Sequence, residues 1–228
     1  MSQDSPDLRR QPGPHVFVED LATLVIADDD RHHLARVLRL RDGDPLTASN
    51  ARGGWRTTVF GASIEPTGPV HDVDPPRYEL GLGIALTKSA KPEFAVQKAT
   101  ELGIDEIVVF HASHSVARWD ADKRAKNEVR LGRVAREAAM QSRRVTIPRV
   151  RFTAAANDVL HRPNVVRADF GGEPLSADHR FVLVGPEGGW SEDEIDVVTN
   201  TVDLGPTVLR AETAAVVAAS HMVRLRAR

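Results

Sequence analysis

The feature that most constrains this chain is a change of pattern at residues 65–77. There Glu-Pro-Thr-Gly-Pro-Val-His-Asp-Val-Asp-Pro-Pro-Arg carries five Pro or Gly residues and no hydrophobic periodicity, so a domain boundary is expected. Before it, apolar runs at 15–18, 45–48 and 55–60 are separated by Arg-Asp-Gly-Asp and Ala-Arg-Gly-Gly turns. Short strands at that spacing predict a small β-rich domain or barrel. Residues 30–40 read as one short helix with Leu34, Val37 and Leu38 on one face. After the boundary, apolar strands alternate with amphipathic stretches. Strands are expected at 78–87, 104–110, 149–152, 181–184 and 202–204. Helices are expected at 91–102, 121–142, near 154–160, from Ser191 and from about Glu212. Pro92 sits near the start of the first of these helices and Gly103 at its end. Val129, Val134 and Ala138 supply an apolar stripe on the longest. This alternation predicts a parallel sheet of α/β type. With 228 residues the chain accommodates two domains: 1–70, with 1–14 as a polar tail, and 78–228.

A hydrophobic content of 41% is enough for a sizeable core, yet no apolar run approaches the roughly 20 residues that span a bilayer. The first fourteen residues lack the apolar segment of a secretory signal. With no cysteine there is neither a disulfide framework nor a thiolate site, which fits a cytoplasmic location. The histidines, His32, His33, His111, His114 and His221 among them, form no metal-ligand spacing, so no metal is expected. The net charge of −2 hides a segregation. Residues 31–56 carry six arginines against Asp42 and Asp44, and residues 118–151 carry eleven Lys or Arg against four acids. Such density can grip phosphates, or can be a solvated face; charge alone leaves both open.

Two loops carry the chemistry, both at the C-terminal ends of expected strands, where open α/β sheets bind ligands. In Phe-Val-Leu-Val-Gly-Pro-Glu-Gly-Gly-Trp-Ser-Glu-Asp-Glu, from Phe181 to Glu194, a strand runs into three glycines, and Ser191 with Glu194 forms a capping box for the next helix. It is not the dinucleotide fingerprint, and Glu187 would repel a pyrophosphate. The second loop, Leu-Gly-Pro-Thr-Val-Leu-Arg-Ala-Glu-Thr-Ala-Ala from Leu204, sets Arg210 and Glu212 beside an alanine-rich helix. Burying such charges is costly unless they are paired or functional, and an Arg210–Glu212 clamp is the structural alternative.

Together, Gly-Pro-Glu-Gly-Gly-Trp-Ser and Val-Leu-Arg-Ala-Glu-Thr-Ala resemble the SPOUT methyltransferases, specifically the ribosomal RNA small subunit methyltransferase E family. The resemblance covers nearly the whole chain. His-His-Leu-Ala-Arg-Val-Leu-Arg-Leu-Arg-Asp-Gly-Asp is similar to the family's PUA-like RNA-binding barrel. Lys-Ser-Ala-Lys-Pro-Glu-Phe and the following helix resemble its first crossover, and Ala-Arg-Glu-Ala-Ala-Met-Gln-Ser-Arg-Arg its central basic segment. The resemblance implies a SPOUT α/β domain with a trefoil knot, working as a homodimer, that binds S-adenosyl-L-methionine and methylates N3 of a uridine in 16S rRNA of the 30S subunit. It places Leu183, Gly185, Glu187 and Gly188, then Leu204, Gly205, Val208, Leu209 and Thr213, around the cofactor. Arg36, Arg39, Arg41, Arg133, Arg136 and Arg143 would contact RNA phosphates. Two places depart from the pattern: Met140 stands where the family has Glu before Gln-Ser, and Ala112-Ser113-His114-Ser115 replaces Ser-Glu-Arg-Ser.

Uridine N3 is an imide nitrogen whose lone pair appears only on deprotonation. The site must therefore stabilise negative charge on the uracil oxygens and align N3 with the methyl group. Arg210 is the first candidate donor and Arg144 the second; Glu212 would orient Arg210 or accept the proton. The alternatives are another SPOUT methylation, on ribose 2′-O or guanine N1, or a non-catalytic RNA-binding protein of ribosome assembly.

Overall fold

A computed structural model describes residues 6–87 and 92–227, which divide into two compact units. Unit 1 comprises Met1–Pro75 together with Ala139–Ile147, and unit 2 comprises Pro76–Ala138 and Pro148–Arg228. Residues 88–91, which open the Lys-Ser-Ala-Lys-Pro-Glu-Phe motif and the 91–102 helix, lie outside the described residues, as do residues 1–5 of the polar tail.

Unit 1 is built on short strands. β1 (His15–Phe17) pairs in parallel with β2 (Pro45–Ser49), and β2 forms an antiparallel pair with β3 (Gly54–Val59). Two-residue strands β4 (Glu65–Pro66) and β5 (His71–Asp72) both pair with β3, so the breaker-rich segment contributes to the sheet before the boundary at Pro75. Val16, Leu21, Leu24, Leu34, Leu46 and Phe60 are the centre of its core.

Between β1 and β2, helix α1 (Asp28–His32) opens with three aspartates, whose charge suits a helix N-terminus. It does not continue as expected. Residues His33–Val37 form a π-turn, with Leu38 N–H donating to the His33 carbonyl at 3.0 Å. The wider turn breaks the 3.6-residue register, and Arg39 closes it at φ 56°. Leu34 is buried and Leu40 returns half-buried against the core. Val37 and Leu38, expected on the same face as Leu34, are instead 60% and 49% exposed.

The segment Ala139–Ile147 is stitched into unit 1 through backbone atoms. His15, buried, donates from Nε2 to the Arg144 carbonyl at 3.1 Å and meets Thr47 Oγ1 at 2.8 Å through Nδ1. Ser49 Oγ and Gly53 N–H both donate to the Val145 carbonyl. Arg143 donates to the Leu8 carbonyl at 3.2 Å and to the Gly13 carbonyl. Burial, reinforced by the Arg143 charge, pushes the His15 pKa down to about 4, against the opposing pull of the Arg144 hydrogen bond.

Unit 2 is a six-stranded sheet. β6 (Gly81–Ala85), β7 (Glu106–Phe110), β8 (Arg149–Thr153), β9 (Val165–Pro174), β10 (Phe181–Val184) and β11 (Thr201–Asp203) lie in the order β11-β9-β10-β6-β7-β8, and every pairing is parallel. Side chains alternate between two covered faces, as a parallel sheet requires. Leu82, Ile84, Ile107, Val109, Val182 and Val184 face α2 (Pro92–Leu102) and α6 (Ala211–Arg226) through Ala95, Val96, Ala99, Ala215, Ala218 and Ala219. On the other face, Val108, Phe110, Phe181 and Leu183 pack with Val159 and Leu160 of α4 (Asn157–Leu160). Helix α3 (Ala121–Gln141) buries Leu131, Ala135 and Ala138, a spacing of four and three. Val129, expected on that stripe, is two positions from Leu131, so about 200° round the helix, and is exposed. The sequence reading contained no strand at β9.

Candidate functional site: a cleft at the strand ends of unit 2

The loop after β10 is fixed at several points. α5 (Glu192–Val197) starts with the expected capping box: Glu194 N–H donates to Ser191 Oγ at 3.4 Å, and Ser191 N–H donates to Glu194 Oε2 at 3.0 Å. The other Glu194 oxygen accepts Ser113 N–H at 2.8 Å, which joins the loop after β7 to the loop after β10. Only 3% of Glu194 is exposed, so the carboxylate relies on those donors. Ser191 and Ser113 hydroxyls meet at 3.2 Å. His114 Nδ1 lies 3.1 Å from the Gly188 carbonyl, which can only accept, so Nδ1 carries the proton. His114 thus holds the glycine-rich turn. Trp190 stacks on Phe110 at 6.2 Å and covers Gly185, where a Cβ would sit 2.8 Å from the indole.

Among the described residues, hydrogen bonds tether the loop after β11 at its near end only. Asp203 Oδ1 accepts Gly205 N–H at 2.7 Å, and Oδ2 accepts Gly171 N–H of β9 at 3.1 Å. Residues 206–209 make no hydrogen bond among the described residues, and Val208 is 91% exposed. Leu204 and Leu209 pack against the core, and Arg210 is the N-cap residue of α6, side chain exposed.

These loops and β9 enclose a cleft of about 510 Å³. That is within the roughly 300–1,000 Å³ of small-molecule sites. Of the expected cofactor residues, Gly185, Glu187, Leu204, Gly205, Val208 and Leu209 line it, as does Arg210. Leu183 does not, because its side chain points into the opposite core with Phe110 and Phe181. Gly188 and Thr213 lie outside the lining, Gly188 turned toward His114 and Thr213 exposed on α6. Glu212 also lies outside it, half-buried one residue beyond Ala211. Arg144 belongs to unit 1, where its Nη2 reaches Thr146 Oγ1 at 3.5 Å.

Ala168, Asp169 and Phe170 of β9 line the cleft and were not foreseen, and neither was Trp190. Asp169 is paired with buried Arg167 at 2.8 Å, and Asp203 is occupied by two backbone donors. Glu187 engages no donor among the described residues. The lining therefore offers one uncommitted carboxylate, apolar surface from Val184, Leu204, Leu209, Ala211 and Ala214, and backbone free of side chains at Gly189 and Gly205. A ligand with a flat apolar ring and a cationic centre suits this set, so S-adenosyl-L-methionine fits and a pyrophosphate does not. Among the described residues no group of His, Asp or Glu is placed to hold a metal ion, and no helix is long and apolar enough to cross a membrane.

Of the expected phosphate contacts, Arg36, Arg39, Arg41 and Arg133 are exposed and Arg136 is half-buried, whereas Arg143 is engaged by the Leu8 and Gly13 carbonyls of its own unit.

Comparison with known proteins agrees across both units. An RNA methyltransferase domain matches residues 74–223, and an RNA methyltransferase PUA domain matches residues 26–62. The chain is 34% identical to the ribosomal RNA small subunit methyltransferase E of Mycobacterium bovis, covering 86% of this chain and 84% of that protein. The Bacillus subtilis protein of the same name is 29% identical, covering 89% and 90%. Among solved structures, a probable rRNA-methyltransferase from Porphyromonas gingivalis matches with a TM-score of 0.73 at 27% identity, covering 94% of this chain and 98% of that one. The small subunit methyltransferase E of Neisseria gonorrhoeae, bound to S-adenosyl methionine, shares the fold with a TM-score of 0.79 at 22% identity, covering 93% and 97%. This chain is a member of the ribosomal RNA small subunit methyltransferase E family of RNA methyltransferases.

Proposed function

We propose that this protein transfers a methyl group from S-adenosyl-L-methionine to N3 of one uridine in the 16S rRNA of the 30S subunit, acting in the cytoplasm as a homodimer with its loops threaded in the family's trefoil knot. The observation that carries the reading is the cleft itself. In a member of this family, it lies at the C-terminal ends of β10 and β11, with the chemistry the cofactor needs. Phe170, 73% exposed at the cleft rim, is an apolar surface that a second copy would cover.

When bound, the cofactor supplies an electrophilic methyl group on a sulfonium. Trp190 and the aliphatic lining exclude water from the adenosyl portion, and Glu187 offsets positive charge. Arg210 holds a guanidinium at the cleft, where it stabilises negative charge on a uracil carbonyl oxygen as N3 loses its proton. Such stabilisation by one donor lowers the barrier by about 2.7–4 kcal/mol. Glu212, two residues on, orients Arg210 or accepts the proton, and Arg144 is the second candidate donor. The target base must leave its stack, at a cost of a few kcal/mol.

The test is incubation with methyl-labelled S-adenosylmethionine and, separately, unmodified 30S subunits, free 16S rRNA and 50S subunits, followed by nucleoside identification. Label in N3-methyluridine from 30S subunits is expected. Label in a 2′-O-methyl nucleoside or N1-methylguanosine would overturn the acceptor. Tight cofactor binding with no label on any substrate would overturn the enzymatic reading.

A further inference from the structure

The six arginines of residues 31–56 divide by what they do. Arg31 donates to the Gly61 carbonyl, Arg52 to the Glu19 carbonyl, and Arg56 to the Leu21 and Gly68 carbonyls, so these three hold unit 1 together. Arg36, Arg39 and Arg41 are exposed and have no side-chain partner among the described residues. Interleaved with them are Val37 and Leu38, pushed into solvent by the π-turn. Residues 36–41 contain no acid. The backbone leading into and within this stretch is uncommon, a π-turn at His33–Val37 and a left-handed Arg39. An ordinary α-helix would have kept Val37 and Leu38 on the Leu34 side, toward the core.

We infer that this turn is a composite RNA-docking surface in which Arg36, Arg39 and Arg41 hold phosphates while Val37 and Leu38 pack on the ribose and base faces between them. The inference rests on the proposed action on ribosomal RNA and adds a component which the arginines alone do not supply. Charge complementarity selects a polyanion: three uncommitted guanidinium groups around two aliphatic side chains would repel a basic partner and leave an apolar one with buried charge. The aliphatic part makes contact that salt does not screen, because it depends on removing apolar area from water. The two parts therefore respond differently to ionic strength.

The test uses the full chain and measures binding to 30S subunits and to transcribed 16S rRNA across salt concentrations, with methyl transfer and S-adenosylhomocysteine affinity measured in parallel. Substituting Arg36→Gln, Arg39→Gln and Arg41→Gln together is expected to weaken binding and flatten the log–log salt slope by about 2 to 3. Substituting Val37→Asn and Leu38→Asn together is expected to weaken binding roughly tenfold with the parent's slope. Cofactor affinity should stay at the parent value in both. Each variant should melt within about 2 °C of the parent, because every change is at the surface; Val37→Thr with Leu38→Gln is the fallback if the asparagines perturb folding. Parent-like RNA affinity in the aliphatic variant would overturn the composite surface even if methylation of 30S proceeds. A lower oligomeric mass in that variant, with RNA affinity intact, would assign the patch to a second copy of the chain instead. Absence of RNA binding by the parent would also overturn it, whereas RNA binding that follows these patterns without methyl transfer would leave the surface standing and remove the proposed reaction.

Discussion

The two walls of the cleft are built on opposite principles. The wall after β10 is pinned before any ligand arrives: Glu194 accepts two backbone N–H groups, His114 holds Gly188, and Trp190 lies over Gly185 between its neighbours. The wall after β11 is anchored through Asp203 and, among the described residues, makes no hydrogen bond over residues 206–209. A pinned wall needs no ordering by a ligand, and closure of the other wall is expected to take up the ligand energy spent on ordering the site. The same contrast recurs in unit 1, where neutral, buried His15 ties down residues 139–147 while the π-turn presents its side chains to solvent.

The largest effect is expected at the free wall. Arg210→Ala should lower kcat by about 10²–10³ while S-adenosylhomocysteine affinity changes little, because the role proposed for it is on developing charge; a loss confined to KM would make Arg210 a binding residue.

The next concerns His15. Its folded pKa of about 4 lies below the ordinary 6.5, so as pH falls the unfolded chain takes up the proton first. The associated stability, about 3 kcal/mol, is complete above pH 6.5 and is lost between about pH 6.5 and 4. Urea midpoints of parent and His15→Gln should therefore converge as pH drops through that window, and a constant gap between them would exclude the neutral tether.

At the pinned wall, Glu194→Ala leaves the Ser113 and Ser191 N–H groups without their acceptor. A loss of about 1–3 kcal/mol is expected, together with weaker S-adenosylhomocysteine binding. Glu194→Gln, which keeps an acceptor oxygen, should recover part of the affinity; no recovery would mean that the charge itself is required. Gly185→Ala pushes a methyl into the Trp190 ring and should cost about 1–3 kcal/mol in stability as well as affinity, readable in calorimetric melts. The smallest stability effect belongs to Val208→Ala, within about 0.5 kcal/mol because the side chain is exposed. Its cofactor affinity should nonetheless fall, and an unchanged affinity would remove Val208 from the closing wall.

What sequence could and could not reveal follows from the kind of interaction involved. The capping box at Ser191 and Glu194 is local, three residues apart, and was legible, as were the strand–loop junctions at Gly185 and Gly205. β9 was not legible. Its alternation Val166-Arg167-Ala168-Asp169-Phe170 is short and does not match its burial, with Arg167 buried and Phe170 exposed; Gly171 turns it at φ 77°, and its pairing with β11 shifts register at Thr201/Val202. The Asp169–Phe170 part of the cleft was missed with it. The π-turn was missed because a 3.6-residue period was assumed through residues 33–38, and one wider turn rotates Val37 and Leu38 out of the stripe. Assigning 139–147 to the C-terminal domain followed chain continuity. Its attachment to unit 1 runs through the carbonyls of Leu8, Arg144 and Val145, and backbone acceptors leave no signature in residue identity.

The most direct test of the two-walled cleft is amide hydrogen exchange with and without saturating S-adenosylhomocysteine. Residues 203–211 should gain the largest protection, 185–194 should be slow already and gain little, and 36–41 should not change. Protection appearing outside the cleft, or equal gains in both walls, would contradict a site preformed on the β10 side and closed from the β11 side.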